Sequence, residues 1–148
     1  MIQHNRYYDY AEMTVQLEAL ATAYPELTRL YSIGQSFAGR EVWVMEITNP
    51  KTGAGETKPA YYLDAQIHAE EHATSSVALY TIDYLLNNFG KNLDVTRLLD
   101  QQVFYIIPRI NPDGAELSLK EPYNRWCGNG RFRPDEIRHS GLQEEDIN

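Results

Sequence analysis

The run His68-Ala69-Glu70-Glu71-His72 holds the residues of this 148-residue chain whose types and spacing could do chemistry. A histidine and a carboxylate three positions apart, at the junction of a strand and a helix, can converge on one metal ion. One gives nitrogen and the other oxygen, a donor set that suits zinc. The same letters also describe a solvated helix start, in which Glu70 and Glu71 favour the positive end of the helix dipole and the histidines are bystanders. The preceding residues bear on the choice. Tyr61-Tyr62-Leu63-Asp64-Ala65-Gln66-Ile67 is aromatic and apolar with polar residues interleaved, the pattern of a strand that ends where the histidine begins.

Two metal readings give the same atoms different jobs. Read as H-x-x-E-H, the inverted zincin motif, His68 and His72 are ligands and Glu71 is the general base, all on one helix face. That arrangement needs a helix already running at His68. Read as H-x-x-E, His68 sits on the strand end and Glu71 in the first helical turn, and these two are the ligands. The strand-like run before His68 fits the second reading better, with His68 and Glu71 as the expected half of a Zn2+ site.

The elements that must position these residues follow from patterning. Asp9 with Glu12 resembles a capping box, and Met13, Leu17, Leu20 and Tyr24 repeat at helical spacing, so a helix over 10–23 stopped by Pro25 is expected. Residues 28–33 and 41–47 are strand-like and joined by a glycine-containing reversal, which reads as a hairpin. Residues 51–59 read as a loop, and residues 60–67 as a strand. Ala78, Ile82, Leu85 and Phe89 form a helical stripe ending at Gly90. A short helix near 94–101 leads into Val103-Phe104-Tyr105-Ile106-Ile107, an apolar run expected of a strand buried on both faces. Asn111-Pro112-Asp113-Gly114 then reads as a turn, since each residue is a turn former. The alternation predicts an α/β fold: a mixed, mostly parallel twisted sheet with helices on both faces. In such sheets ligands sit at the carboxyl ends of strands, where both His68 and the Asn111 segment fall.

Composition sets outer limits. The length suits one domain, 1–148, and 43% hydrophobic residues with 11% aromatics are those of a globular protein. A net charge of −8 argues against nucleic acid and anionic membranes as partners. The single cysteine, Cys127, forms no intramolecular disulfide. The polar start lacks a signal peptide's apolar centre, which leaves export by a removed leader open.

The order helix, Ile33-Gly34-x-Ser36-x-x-Gly39-Arg40, strand, His68-x-x-Glu71, helix, strand, Asn111-Pro112-Asp113-Gly114 resembles the N-terminal half of the zinc carboxypeptidases of the carboxypeptidase A family, over residues 7–133. The resemblance implies a three-layer sandwich around a mixed eight-stranded sheet, His68 and Glu71 as two of three zinc ligands, and hydrolysis of C-terminal peptide bonds by metal-activated water. It also implies an arginine after the Asn-Pro-Asp-Gly turn that polarises the scissile carbonyl. Arg131 or Arg133 is preferred for that role, and Arg125 and Asn111 are the expected substrate-binding residues. For each arginine a solvated surface charge is the plain alternative.

The chain departs from the family's pattern. Where members often carry an arginine before the glutamate ligand and an aromatic residue after it, this sequence has Glu70 and His72. The family's third histidine ligand and catalytic glutamate come from sequence past the part matched. The expectation is therefore a domain interrupted at Asn148, with a loop-rich tail over 121–148 in which His139 reads as surface. A related zinc hydrolase acting on acylated amino acids or cell-wall peptides, and a non-catalytic binding module, are the alternative functions. The oligomeric state is not legible.

Overall fold

The computed structural model describes residues 2, 3, 5–120 and 128. Helix α1 (Tyr10–Ala23) opens with the expected capping box: Asp9 accepts from the Glu12 backbone N–H at 2.8 Å, and Glu12 accepts from that of Asp9 at 3.1 Å. Two N–H groups that the helix leaves unpaired are thus satisfied by side chains. Strands β1 (Thr28–Gln35) and β2 (Glu41–Ile47) form the expected antiparallel hairpin, with an irregularity between Ser32 and Gln35. Two short 3-10 turns, Pro50–Thr52 and Gly55–Thr57, occupy the expected loop. Strand β3 (Ala60–Asp64), helices α2 (His72–Asn88) and α3 (Leu93–Gln101), strand β4 (Val103–Ile107) and helix α4 (Pro112–Lys120) complete the described chain.

The sheet is mixed and open, in the order β1-β2-β4-β3. Strand β4 is central, antiparallel to β2 and parallel to β3. Parallel neighbours need a long crossover, and α2 with α3 provides it. Alternation along the strands sends Met45, Ile47, Phe104 and Ile106 to one face. There they form a single core with Met13, Leu17 and Leu20 of α1, Leu79, Ile82 and Leu86 of α2, and Val95 and Leu99 of α3. Among the described residues, no helix is long and apolar enough to cross a membrane.

Two expectations are corrected. Strand β3 stops at Asp64 instead of Ile67, because Gln66 adopts φ 55° and turns the chain out of the extended region. Glu71 is accordingly the N-cap of α2, one position before the first helical turn. Likewise, Asn111-Pro112-Asp113-Gly114 is a helix start. Asn111 Oδ1 accepts from Gly114 N–H at 3.0 Å as an N-cap does, and Pro112 takes the first helical position, where its missing N–H is harmless.

Gly114 is in this helix for lack of space. A Cβ there would lie 2.6 Å from Asn111 Nδ2 and 2.9 Å from Ala69 Cβ, and would collide with the Gly128 carbonyl oxygen. Elsewhere in a helix glycine to alanine gains about 0.5–1 kcal/mol. Here Gly114→Ala should have the opposite sign and destabilise by roughly 1–3 kcal/mol, as overpacking does, read as a lowered urea midpoint with an unchanged slope.

Candidate metal centre

His68 and Glu71 lie on the connection from β3 to α2, beside the end of β4. The backbone pairing of β3 with β4 continues past the regular strands: Ala65 N–H donates to Ile107 O at 3.0 Å, Ile110 N–H to Ala65 O at 2.9 Å, and Asn111 N–H to Gln66 O at 3.2 Å. Asn111 is 2% exposed, and its side chain donates to Ile67 O at 3.1 Å and to Gly128 O at 3.1 Å. The two strand ends are thereby joined at the base of the loop that carries the H-x-x-E residues.

Within that loop His68 Nδ1 and Glu71 Oε1 are 3.3 Å apart, with side chains 34% and 41% exposed. Two donors each about 2.1 Å from one tetrahedral zinc would be separated by about 3.4 Å. The nitrogen and oxygen donors and their spacing fit that ion. Glu71 is an N-cap that makes no side-chain cap bond. The helix start is tied instead by Thr74 Oγ1, which donates to Glu71 O at 2.7 Å and accepts from Gln66 N–H at 3.0 Å. Among the described residues, no group of three or more histidine, cysteine, aspartate or glutamate side chains gathers at one point.

His72 is oriented elsewhere. Its Nδ1 is 2.7 Å from Gln66 Nε2 and its Nε2 is 3.0 Å from Ser118 Oγ. Burial, and next the Arg109 charge, hold it below the usual imidazole range. A neutral ring with Nδ1 accepting from Gln66 and Nε2–H donating to Ser118 satisfies every partner. The chain is not helical at His68, and α2 begins at His72, which removes the single helix face that the inverted motif requires.

Sequence reasoning missed two supporting groups. Asp113 clamps the tip of the β1–β2 hairpin, accepting from Ser36 Oγ at 2.8 Å, Ala38 N–H at 2.9 Å and Arg40 at 2.6 Å. Ser36 and Arg40 were singled out as motif residues, but nothing in their spacing shows that Asp113 is their partner. The second is Arg109, 2% exposed, whose Nε donates to Gln66 Oε1 at 2.7 Å and whose second guanidinium nitrogen donates to Tyr8 O at 2.8 Å. Burial pushes its pKa down to about 10 against the opposing pull of Glu116 and Asp9. Its remaining nitrogen is 3.6 Å from Glu116 Oε1, an ion-pair distance too long for a hydrogen bond. Arg125, Arg131 and Arg133 lie outside the described residues, as do His4, Cys127, His139 and the expected tail.

This fold with this pair is matched by known proteins. The chain belongs to the zinc carboxypeptidase family, whose Peptidase_M14 model matches residues 13–147. It is 30% identical to carboxypeptidase M of Mus musculus over 149 residues, covering 95% of this chain and 33% of that protein. It is 39% identical to carboxypeptidase D of Anas platyrhynchos over 115 residues, 76% of this chain and 8% of that protein. The chain thus spans a third or less of the length of these curated relatives. Among solved structures, thrombin activatable fibrinolysis inhibitor superposes with a TM-score of 0.85 at 24% identity, over 98% of this chain and 34% of that one. Carboxypeptidase A from Helicoverpa armigera gives 0.77 at 23% identity, over 88% and 31%. These likenesses bear out the mixed-sheet fold.

The Asp113 clamp yields a stability prediction. Removing the carboxylate leaves Arg40, with a side chain 27% exposed, and the Ala38 N–H without their acceptor. Asp113→Ala should cost about 3 kcal/mol, the low end for removing one partner of a buried pair because Arg40 keeps some contact with water. Urea denaturation of the two proteins measures it.

Proposed function

We propose that this chain carries part of the active site of a zinc-dependent metallocarboxypeptidase that hydrolyses C-terminal peptide bonds, with His68 Nδ1 and the Glu71 carboxylate as zinc ligands. The observation that supports it is the convergence of these two donors, 3.3 Å apart, at the joined ends of two parallel strands in a chain of this family. Zinc held there would lower the pKa of a bound water to about 7 and polarise the scissile carbonyl.

The chain's own residues have separate tasks in this reading. Glu71 leaves helix capping to its neighbours and keeps its carboxylate for the metal. Asn111, expected from the sequence to bind substrate, is instead given a structural task in this reading: buried and bonded through both side-chain atoms, it holds the ligand loop to the start of α4 through Ile67 O. Arg131 or Arg133 takes the oxyanion-stabilising role, a contribution of about 3–4 kcal/mol for comparable donors. Arg125 takes the substrate's carboxylate or backbone. Peptide and protein C-termini are the substrates.

Zinc titration of the full chain against a chromophoric chelator tests the ligand assignment. His68→Ala and Glu71→Ala should each abolish the measurable affinity, while His72→Ala leaves binding in the measurable range. Equal loss in all three variants would return His72 to the ligand set and contradict the assignment. Activity gives a second prediction. Among the described residues two donors converge, fewer than the three of a catalytic zinc site, and a site without a placed general base loses about 10²- to 10⁴-fold. The chain by itself should therefore release C-terminal residues from a mixed peptide panel negligibly, with no change on adding a chelator. Chelator-sensitive turnover at ordinary enzyme rates would require a third ligand among His4, Cys127, His139 and the acidic residues of the tail.

A further inference from the structure

Gln66 is 1% exposed and, among the described residues, the one non-glycine residue with positive φ, at 55°. Glycine would occupy that conformation without steric cost, whereas a Cβ is disfavoured there. Such a residue persists where its surroundings over-determine it, and the side chain shows what does so. Its Oε1 accepts from Arg109 Nε at 2.7 Å. Its Nε2 donates both hydrogens, to Ala69 O at 2.9 Å and to His72 Nδ1 at 2.7 Å. His72 continues to Ser118 of α4 at 3.0 Å, and Arg109 to Tyr8 O at 2.8 Å. The buried Gln66, Arg109 and Ser118 and the half-buried His72 therefore link the segment before α1, the end of β4, the first turn of α2 and the second half of α4.

Residues 67–71, which carry His68 and Glu71, lie between the two ends of this connection. Gln66 closes the loop on itself, since its amide reaches Ala69 in the middle and His72 at the far end. Other bonds of the loop include Glu71 N–H to His68 O at 3.2 Å, His72 N–H to Glu70 O at 2.9 Å and the 3.3 Å contact of His68 Nδ1 with Glu71 Oε1, while Thr74 Oγ1 bonds Gln66 N–H and Glu71 O and Asn111 bonds Ile67 O.

We propose that Arg109, Gln66, His72 and Ser118 form a positioning relay that fixes the loop 67–71, and that Gln66 is the residue on which its geometry depends. The proposal rests on the zinc-ligand reading of His68 and Glu71. Gln66 and His72 are thus positioning residues, acting on the metal through the loop. The competing explanation is that the relay only solvates a buried guanidinium. In that case the loop would be indifferent to its donors so long as Arg109 kept an acceptor.

Three variants of the full chain separate the two. Gln66→Gly relieves the backbone and deletes the relay, Gln66→Glu keeps the acceptor for Arg109 and removes both donations, and Ser118→Ala cuts the far end. Two readouts are taken: amide hydrogen exchange across 66–74 in metal-free protein, and the zinc dissociation constant by chelator competition. With the relay, Gln66→Gly and Gln66→Glu both speed exchange of the loop by about tenfold or more while α1 and the β1–β2 hairpin stay protected. Zinc affinity falls about 10- to 100-fold, as for other outer partners of metal ligands, and Ser118→Ala shifts both in the same direction by less. Unchanged loop exchange in Gln66→Glu overturns the relay, as does loss of protection spread evenly over the whole chain. If the parent chain holds no zinc, the ligand reading fails. The exchange data, which need no metal, still decide on the relay.

Discussion

Parallel pairing of β3 with β4 is the constraint on which the rest of this structure depends. The register that sets Ala60 beside Val103 and Asp64 beside Ile107 brings two carboxyl strand ends level, though 43 positions separate the paired residues in sequence, the same interval throughout. Main-chain bonds from Ala65, Ile110 and Asn111 carry the pairing four positions beyond the regular ladder. The loop that carries His68 and Glu71 on one strand end and a helix N-terminus on the other are thereby held against each other. Without that register, His68 and Glu71 would lie on a loop with no fixed neighbour.

Around this seam, charge is placed beside partners, by hydrogen bonds throughout at Asp113 and by hydrogen bonds plus one longer ion pair to Glu116 at Arg109. Asp113 takes three donors from the hairpin tip, so the β1–β2 reversal is held to the start of α4. Arg109 sits among Gln66, Tyr8 and Glu116. Glu116 in turn accepts from the Tyr10 N–H at the start of α1 at 2.7 Å. Buried charges of this kind are costly unless paired, and removing one partner costs more than the pair contributes. Their effect here is geometric: Asp113 ties the hairpin tip to the start of α4, and Arg109 ties the segment before α1 to Gln66, beside the loop 67–71.

Much of this was legible in the chain itself. The bounds of α1 follow from Asp9, Glu12 and the apolar repeat, and β4 from an uninterrupted apolar run. The convergence of His68 and Glu71 was expected from residue type and spacing only together with the strand pattern before them, since the same letters also describe a solvated helix start. The end of β3 was not legible, because Ala65, Gln66 and Ile67 continue the strand pattern while Gln66 leaves the extended region for bonds to residues such as Arg109, 43 positions away. The Asn-Pro-Asp-Gly segment misled for a related reason. Asparagine as a cap, proline at the first helical position and aspartate in the first turn favour helix starts as well as turns, and only close packing against Gly128 O, Asn111 and Ala69 explains the glycine. Side-chain contacts between remote segments leave no periodic trace in a sequence.

The central claim is that one zinc ion is held by His68 and Glu71 while His72 serves the protein interior. An anomalous difference map at the zinc edge, from crystals of the chain grown with zinc, tests it most directly. The account predicts a peak within bonding distance of His68 Nδ1 and a Glu71 carboxylate oxygen, with His72 still bonded to Gln66 and Ser118. A peak on His72 Nε2, or one shared by His68 and His72 with Glu71 turned away, would contradict it.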